Sequence, residues 1–574
     1  MIFFTFVVLQ NFMKKMILIV SCLVLGQLSA QYTDYNIVKE VRVHGKGVVV
    51  SAHPLASEAG SLIMQKGGNA YDAAIATQYA LAVVYPQAGN IGGGGFLVGV
   101  KNNGEKFTLD FRETAPQKSS RDMYLDKKGN ANTNLSQNGH LAAGIPGSVA
   151  GFYATLKHAN LPMSVLIQPA IDLADKGFTI TEKEAKMLNS QMKDFVKYNQ
   201  FKNPFTEKSI WKAGDVLVQK DLAETLKRIQ KEGLKGFYEG KTADLIVAEM
   251  KRGNGIITYK DLTNYKVEER KPLVFDYKGL EVVSMPLPSS GGILLAQMLK
   301  MTSFENIEQY QHNSPKAVQV MAEAERRAFA DRAEYMGDPA FIQDKTTMLI
   351  SDEYLKNRWK SFDMNKASKS SGVGNIIKPQ QESTETTHIS IIDKDGNMAS
   401  ITTTLNGLYG NKVLVHGAGF FLNNEMDDFS IKPGIPNMFG AVGGEANAIA
   451  PGKRMLSSMT PTIVLKNNKP YIVVGTPGGT TIPTSVFQTI VNIVDFKLSP
   501  NLAINAPKFH HQWLPEYIEF EKDFPKYTIE EMKKVGYTFK NRDVIGRTEY
   551  IQIDEKGNII AVADGRGDDS VSVQ

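Results

Sequence analysis

The sequence has almost no cysteine, since Cys22 is the single one among 574 residues. One thiol excludes intrachain disulfides, cysteine-based zinc sites and iron–sulfur clusters. The chain also lacks a strong charge of either sign, with a formal net charge of +5. Because no dense stripe of lysine and arginine is present, nucleic acid is not the expected partner. A balance of 42% hydrophobic and 22% charged residues predicts a globular protein with a large core.

Several familiar catalytic motifs are absent as well. There is no H-E-x-x-H zinc motif, and no G-x-S-x-G elbow stands between a strand and a helix. The run Gly92–Gly95 lacks the Gly-Lys-Ser/Thr of a phosphate-binding loop, so we interpret it as a place of close backbone packing. The adjacent His510 and His511 are a weak metal motif, and we interpret them as structural. We therefore expect neither a metal nor a cofactor.

The first thirty residues predict an export signal. A pair of lysines at 14–15 precedes an apolar stretch over 16–25, and small residues stand at 29–30. This order of segments is typical of a secretory signal peptide, here cut after Ala30. We therefore expect residues 1–30 to be removed and the protein to be exported, either periplasmic or secreted.

Other interpretations of this segment stay open. One is an N-terminal membrane anchor, although neither apolar run reaches the roughly 18–20 residues that span a bilayer. The run Ile19–Cys22 also resembles a bacterial lipobox, which would make Cys22 a lipid anchor, although the apolar run before it is short. Met13 is a second candidate for the start of translation.

Hydrophobic patterns predict a mixed α+β protein. A buried strand is predicted over 46–51, an Ala- and Leu-rich helix over 70–84 and an apolar helix over 485–496, while 160–340 carries mostly helical patterns. Alternating residues around short polar turns predict hairpins at 96–111, 387–405, 462–474 and 550–562. The alternating βαβ pattern of a doubly wound sheet is absent, so we expect a layered α+β architecture.

A threonine stands where a polar segment gives way to a strand. Residues 367–385 are rich in Ser, Gly, Lys and Gln, which indicates an exposed, mobile loop, and Thr386 follows directly. A threonine hydroxyl is a poor nucleophile unless a base lies beside it. If the bond before Thr386 were cut, its new α-amino group, with a pKa of about 7.7–8.0, would supply that base. Threonine is also ordinary strand composition, so the residues alone leave both interpretations open.

The run Thr386–Asn397, TTHISIIDKDGN, resembles the start of the small subunit of the γ-glutamyltranspeptidases. Six further segments resemble motifs of that family and follow the family's order across nearly the whole chain beyond the signal segment. They are DFRETAP at 110–116, PSSGG at 288–292, NNEMDDFS at 423–430, PGKRMLSSM at 451–459, GTPGG at 475–479 and NAPKFHHQWLP at 505–515.

The resemblance implies an N-terminal-nucleophile hydrolase with an α+β fold, a four-layer αββα sandwich. It implies a precursor that cuts itself between Glu385 and Thr386. The large subunit would be 31–385 and the small subunit 386–574, and the two would remain together as one interleaved domain. The implied reaction opens the γ-glutamyl amide of small molecules such as glutathione, and the γ-glutamyl group passes to water or to an amino-acid or dipeptide acceptor.

The resemblance also assigns the residues of the reaction. Thr386 would be the nucleophile, and Thr404 would bind and tune its amine. Gly478 and Gly479 would donate backbone N–H groups to the oxyanion, where glycine permits a close approach.

Binding of the glutamyl head follows from its two charges. A planar guanidinium suits the α-carboxylate, and acceptors suit the α-ammonium. An arginine opposed to an acid cluster would select this zwitterion and reject simple acyl groups. The residues that match the family's binding set are Arg112, Ser457 and Ser458 for the carboxylate, and Asn406, Glu425 and Asp428 for the ammonium.

Two positions depart from the pattern of the commonly described bacterial members. Glu425 stands where many carry Gln, which adds negative charge beside the ammonium. Phe439 stands in the loop 433–444 where many carry a Tyr that bonds the residue equivalent to Asn406. We therefore hypothesise a lid that closes by apolar cover alone, or less firmly, and accepts larger acceptors.

Two rival functions remain. One is a self-processing acylase on the same scaffold that acts on cephalosporin-type side chains, against which the charges of Arg112 and Asp428 argue. The other is an exported binding protein or an inactive homologue, against which Thr386, Thr404 and the glycine pair argue.

Overall fold

The computed structural model describes residues 35–374, 386–438 and 440–574. The predicted signal peptide, Glu385 and Phe439 lie outside these ranges, as does most of the predicted loop 367–385. Within them, no helix has both the length and the apolar character needed to cross a membrane.

Strands dominate the centre of the molecule. In chain order they are β1 (Glu40–His44), β2 (Val48–Ser51), β3 (Gly94–Val100), β4 (Lys106–Asp110), β5 (Phe178–Thr179), β6 (Val216–Leu217), β7 (Glu268–Arg270), β8 (Leu273–Tyr277), β9 (Leu280–Ser284), β10 (Thr387–Ile392), β11 (Met398–Thr404), β12 (Thr462–Lys466), β13 (Lys469–Gly475), β14 (Phe509–His510), β15 (Ile518–Glu521), β16 (Phe539–Arg542), β17 (Glu549–Ile553), β18 (Asn558–Ala563) and β19 (Ser570–Val573).

Two seven-stranded antiparallel sheets contain most of these strands. The first sheet has the order β1-β18-β17-β13-β12-β9-β8, and the second has the order β19-β2-β10-β11-β3-β4-β7. Each sheet contains strands from both sides of residue 386, so each predicted subunit supplies strands to both sheets.

Helices surround the sheets. In chain order they are α1 (Pro54–Gln65), α2 (Ala70–Val84), α3 (Thr133–Gln137), α4 (Ser148–Thr155), α5 (Met163–Leu166), α6 (Gln168–Lys176), α7 (Glu182–Tyr198), α8 (Lys220–Glu232), α9 (Lys235–Tyr238), α10 (Gly240–Arg252), α11 (Tyr259–Asn264), α12 (Gly291–Ser303), α13 (Pro315–Tyr335), α14 (Thr346–Leu349), α15 (Asp352–Trp359), α16 (Thr481–Val494), α17 (Pro500–Asn505) and α18 (Lys526–Lys534).

The two sheets pack face to face and helices cover their outer faces. Val50 and Val98 of the second sheet share an apolar cluster with Val473 of the first. Successive side chains of a strand point to opposite faces, so Ile389 and Ile391 instead join the cluster that contains α2. The helices α12, α13 and α16 cover the outer face of the first sheet. The layers therefore run helix, sheet, sheet, helix, as the α+β four-layer prediction requires.

Most predicted elements are confirmed. The helix over 70–84 has the predicted bounds, and all four predicted hairpins form. In the hairpin over 462–474, Asn467 and Asn468 adopt the left-handed turn conformation at φ of 54° and 60°. The expectation of mostly helical patterns over 160–340 is confirmed, although the short strands β5 to β9 also lie within that range. Strand β8 alternates buried and exposed residues over only five positions, which the helical patterns around it obscured.

Close backbone packing explains the glycine run at 92–95. A Cβ atom at Gly93 would lie 2.1 Å from the carbonyl oxygen of Thr404, and one at Gly95 would lie 2.4 Å from that of Thr402. Only glycine lets β3 approach the end of β11 this closely. The interpretation of this run as a packing feature is confirmed.

The adjacent histidines belong to the core. His510 is buried, and its ring nitrogens lie 2.9 Å from the Thr484 hydroxyl and 2.9 Å from the Gln512 amide oxygen. Burial lowers the pKa of His510 to about 4, so the ring is uncharged at neutral pH. His511 is also buried, and its Nδ1 accepts the Trp513 N–H at 3.0 Å. These contacts support the structural interpretation.

Candidate active site

Two central strands of the second sheet, β10 and β11, place two threonines side by side at the ends of these strands. Strand β10 lies between β2 and β11, and its register pairs Thr387 with Thr403. The next residues outward, Thr386 and Thr404, therefore stand side by side, and both are buried. The Thr404 hydroxyl accepts the backbone N–H of Asn406 at 2.7 Å. This pair forms the strand wall of a narrow cleft.

The histidine nearest to Thr386 in the sequence is His388, on strand β10. The His388 ring is buried and its Nδ1 lies 2.8 Å from the Thr402 hydroxyl. A Cβ at Gly475 would collide with this ring, so glycine is needed where the two sheets meet. Burial lowers the pKa of His388 to about 3, and the ring does not line the cleft. His388 is therefore a neutral packing residue and not a base for Thr386.

The predicted oxyanion glycines form the turn that leads into α16. Their φ angles are +136° for Gly478 and +58° for Gly479, and the second is left-handed backbone that favours glycine. Neither backbone N–H donates to another residue within the described ranges. Gly479 lines the cleft, whereas Gly478 lines a larger neighbouring cavity of about 430 Å³ together with Tyr85 and Arg547.

The opposite side of the cleft is a loop wall, formed by Arg112, Glu425, Asp428 and Ser457-Ser458. The Arg112 guanidinium lies 2.7 Å from the Glu425 carboxylate and 2.5 Å from that of Asp428. Arg112 and Glu425 are almost completely buried, whereas Asp428 is slightly exposed. The expectation of an arginine opposed to the acids is corrected here, because charges taken out of water pair directly with each other.

A third acid completes the cluster around the arginine. Glu113 is buried, and its carboxylate lies 3.5 Å from Arg112 without a hydrogen bond to the described residues. Burial raises the pKa of Glu113 to about 8, although Arg112 opposes the shift. Burial also raises the pKa of Glu425, where Glu113 and Asp428 add to the effect and Arg112 again opposes it. One cation thus faces three acids, and burial favours the protonated form of Glu113.

The serine pair is held by its backbone. The Ser457 carbonyl accepts the Ser290 N–H at 2.8 Å and the Ser290 hydroxyl at 2.7 Å. The Ser457 hydroxyl accepts the Met459 N–H at 3.1 Å, and Ser458 lines the cleft. This packing fixes the loop while both hydroxyls remain able to donate.

A loop over the cleft is fastened by polar contacts. The Asn437 amide donates to Asp428 at 2.9 Å, and the Met438 N–H donates to Asp427 at 2.7 Å. The amide of Asn406 donates to the Asn424 carbonyl at 3.0 Å, which leaves the Asn406 amide oxygen as an acceptor. The expectation of a loop held by apolar cover alone was therefore too simple, since hydrogen bonds fasten its described part.

All predicted site residues except Gly478 line this one cleft. Three further residues that were not predicted lie in or beside the cleft, namely Glu113, Asn437 and Arg332. Arg332 belongs to α13, a helix rich in charged residues. This helix is buried on nearly all sides and pairs charges internally, as Glu323 does with Arg327 at 2.5 Å. No pattern in the sequence distinguishes the one arginine that reaches the cleft.

A threonine that heads a central strand in a four-layer αββα sandwich defines the class of N-terminal-nucleophile hydrolases. Comparison with known proteins gives the family. A model of the gamma-glutamyltranspeptidase family matches residues 56–574. A glutathione hydrolase proenzyme of Escherichia coli (strain K12) is 43% identical over 530 residues, which covers 92% of this chain and 91% of the relative. The chain therefore belongs to the gamma-glutamyltranspeptidase family.

Solved structures agree with this assignment. The crystal structure of the Helicobacter pylori gamma-glutamyltranspeptidase is 44% identical and covers 57% of this chain and 95% of its own, with a TM-score of 0.55. A cephalosporin acylase from Bacillus halodurans is 25% identical and covers 95% of this chain and 98% of its own, with a TM-score of 0.81. The scaffold is thus shared by two kinds of acyl-transfer enzyme, and the cleft must distinguish them.

Proposed function

We propose that the protein is a self-processing γ-glutamyltransferase that also hydrolyses glutathione. The observation that carries this function is the meeting, in one cleft, of Thr386 with an arginine and two acids. A nucleophile alone would suit any acylase of this class. The buried charges beside it suit an acyl group that carries both an α-carboxylate and an α-ammonium.

Processing would cut the bond between Glu385 and Thr386. The products would be a large subunit, 31–385, and a small subunit, 386–574. Each large sheet takes strands from both segments: β10 and β11 of the small subunit lie between β2 and β3 of the large one. Separation would break long antiparallel ladders and expose the apolar space between the sheets, so the two subunits remain a heterodimer after cleavage.

The cut would create the catalytic base. The α-amino group of Thr386 takes the hydroxyl proton while Oγ attacks the γ-glutamyl carbonyl, and the proton then passes to the leaving amine. The hydroxyl of the adjacent Thr404 would orient the α-amino group of Thr386. The backbone N–H groups of Gly478 and Gly479 stabilise the oxyanion of the tetrahedral intermediate, and loss of one such donor costs about 10²–10³ in rate in other enzymes.

Recognition of the glutamyl head follows from its geometry. The α-carboxylate and α-ammonium are bonded to the same carbon, so their protein partners must also lie a few ångströms apart. The direct contact of Arg112 with Glu425 and Asp428 meets this requirement. Ser457 and Ser458 add hydroxyl donors to the carboxylate, and the amide oxygen of Asn406 adds an acceptor to the ammonium.

The resulting γ-glutamyl ester on Thr386 has two outcomes. Attack by water releases glutamate, and attack by the amine of an amino acid or dipeptide forms a new γ-glutamyl compound. Phe439 belongs by sequence to the loop 433–444, and a Phe439→Tyr variant tests whether the missing hydroxyl widens acceptor choice. Unchanged donor affinity, acceptor range and hydrolysis-to-transfer ratio would contradict that role.

The pattern over residues 1–30 supports export of the enzyme to the periplasm or beyond. Cleavage after Ala30 would remove Cys22, whereas lipid anchoring would retain it. The mass of the mature N-terminus separates these two outcomes.

The test of the function uses the purified chain on a denaturing gel and with a chromogenic γ-glutamyl anilide. We expect bands of about 40 kDa and about 20 kDa, in proportion to the 63.3 kDa of the whole chain. We also expect release of the chromogenic aniline, at a rate that a dipeptide acceptor increases. A glutaryl anilide distinguishes the acylase rival, because a glutaryl group has no α-ammonium for the acids to bind. Preference for the glutaryl donor, or an uncleaved and inactive chain, would refute the proposal.

A further inference from the structure

The cleft contains a second buried guanidinium, that of Arg332. Arg332 lies near the end of α13, is 6% exposed and lines the cleft with Thr386 and Ser458. Its Nε donates to the Ser290 hydroxyl at 3.1 Å. Its two terminal nitrogens form no hydrogen bond with the part of the chain that the structure describes. They therefore keep their donors free towards the cleft.

The two arginines differ in how their charges are balanced. Arg112 contacts both Glu425 and Asp428 and can release neither without leaving a buried acid unpaired. Arg332 forms no ion pair with any carboxylate in the described ranges. Burial lowers the pKa of Arg332 to about 10, with Arg112 adding to the shift and Asp428 opposing it, so the guanidinium stays charged at neutral pH. A buried cation without a counter-charge is costly unless an anion binds beside it.

We propose that Arg332 is a specificity-determining residue that binds the α-carboxylate of the γ-glutamyl donor together with Ser458. This inference rests on the proposed function and deepens it. The fixed acids already neutralise Arg112, so Arg332 supplies the net positive charge that the carboxylate needs. Glu425, Asp428 and Asn406 remain the partners of the ammonium. The α-carboxylate then lies beside Arg332 and the α-ammonium lies beside the acids, so each charge of the zwitterion has a partner of opposite sign.

A purely structural role is the competing explanation. Arg332 donates to Ser290, and Ser290 holds the Ser457 carbonyl through its N–H and its hydroxyl. Loss of Arg332 could therefore shift the serine loop without any loss of charge recognition. The two roles predict different dependence on the donor, because a shifted loop affects every acyl group that reaches Thr386.

The experiment measures KM and kcat with three anilides. The γ-glutamyl donor carries both charges, the glutaryl donor lacks the ammonium and the 4-aminobutyryl donor lacks the α-carboxylate. We expect Arg332→Gln to raise KM about 10- to 100-fold for the two donors with a carboxylate, the range for a lost charge-assisted hydrogen bond. The KM for the 4-aminobutyryl donor should change less than about threefold. Arg332→Lys keeps a cation and should recover part of the loss.

Ser290→Ala is the matched control, since it removes the contact to the loop and keeps the guanidinium. It should shift all three donors by a similar factor. If Arg332→Gln also shifted all three equally, or lowered only kcat, the proposed role would be overturned. Thermal unfolding and the two-band pattern verify that each variant folds and matures.

Calorimetric binding of glutamate and of 4-aminobutyrate gives a readout without turnover. Arg332→Gln should weaken glutamate by the same factor as its KM and leave 4-aminobutyrate unchanged. Unchanged glutamate binding would contradict the proposed role of Arg332 and leave the proposed function standing. Failure of the wild type to release aniline from any donor would contradict the proposed function instead.

Discussion

The two walls of the cleft are built by different forces. On the strand wall, Thr386 and Thr404 are positioned by the continuous antiparallel ladder between β10 and β11. On the loop wall, Arg112, Glu425 and Asp428 come from separate segments and are held by their mutual charges. Ladder geometry tolerates a changed side chain, because the backbone makes its bonds. A buried ion cluster does not tolerate such a change, because the removal of any member leaves another buried charge unpaired.

The largest effect should come from the strand wall and should spare the fold. Thr386→Ala removes the nucleophile, so we expect no cleavage and a loss of activity of at least about 10³-fold. Since the ladder does not use this side chain, the thermal midpoint should match that of the uncleaved precursor. Thr386→Ser keeps a hydroxyl and should still mature into two bands. Residual cleavage in the alanine variant would assign the nucleophile elsewhere.

The loop wall should lose both activity and stability together. Arg112→Gln leaves Glu425 and Asp428 buried without their cation, which costs about 3–5 kcal/mol for a broken buried pair. We expect kcat/KM for a γ-glutamyl anilide to fall about 100-fold or more. The matched control is Arg121→Gln, since Arg121 pairs with Glu445 at 3.0 Å on the surface and should contribute under about 1 kcal/mol. Equal destabilisation by the two variants would refute the contrast between buried and exposed pairs.

The loop over the cleft should show a smaller effect, confined to binding. Asn437→Ala removes the hydrogen bond to Asp428, worth about 0.5–1.5 kcal/mol. We expect KM for the donor to rise about threefold to tenfold with kcat nearly unchanged. Lys432→Ala, at the exposed residue just before the loop 433–444, is the control and should leave KM unaltered. A fall in kcat without a change in KM would mean that Asn437 acts on the chemistry.

The last prediction concerns stability alone, as a pH dependence that comes from Glu113. The pKa of Glu113 is about 8 in the folded protein and near 4.5 in the unfolded chain. Between these two pH values Glu113 is therefore ionised in the unfolded chain and protonated in the folded protein. Wild type should therefore lose stability relative to Glu113→Gln as pH rises from about 4.5 to about 8. The difference should be flat above and below that window. Thermal midpoints of both proteins from pH 4 to pH 9 measure it, and a constant difference would show that folding does not raise the pKa of Glu113.

The strand wall was largely predictable from the sequence, and the loop wall was not. Short alternating runs around Asp393–Asn397 fix a hairpin by local rules, so the position of Thr386 at its start follows directly. The residues alone did not decide whether Thr386 is a nucleophile, and the family resemblance supplied that hypothesis. The contact between Arg112 and Glu425 joins segments more than 300 residues apart, which no local pattern determines. The sequence did not indicate Arg332, because a buried helix whose charges pair with each other has the same composition as an exposed helix.

The central claim is that Thr386 becomes the N-terminal, covalently acting residue of a small subunit. Peptide mass mapping tests it most directly, on protein mixed with a γ-glutamyl donor and quenched in acid. We predict a peptide that begins at Thr386, with a fraction of it heavier by one γ-glutamyl group. The same peptide from Thr386→Ser protein should carry the group on the serine. An adduct on any other residue, or a chain that remains uncut before Thr386, would contradict the account.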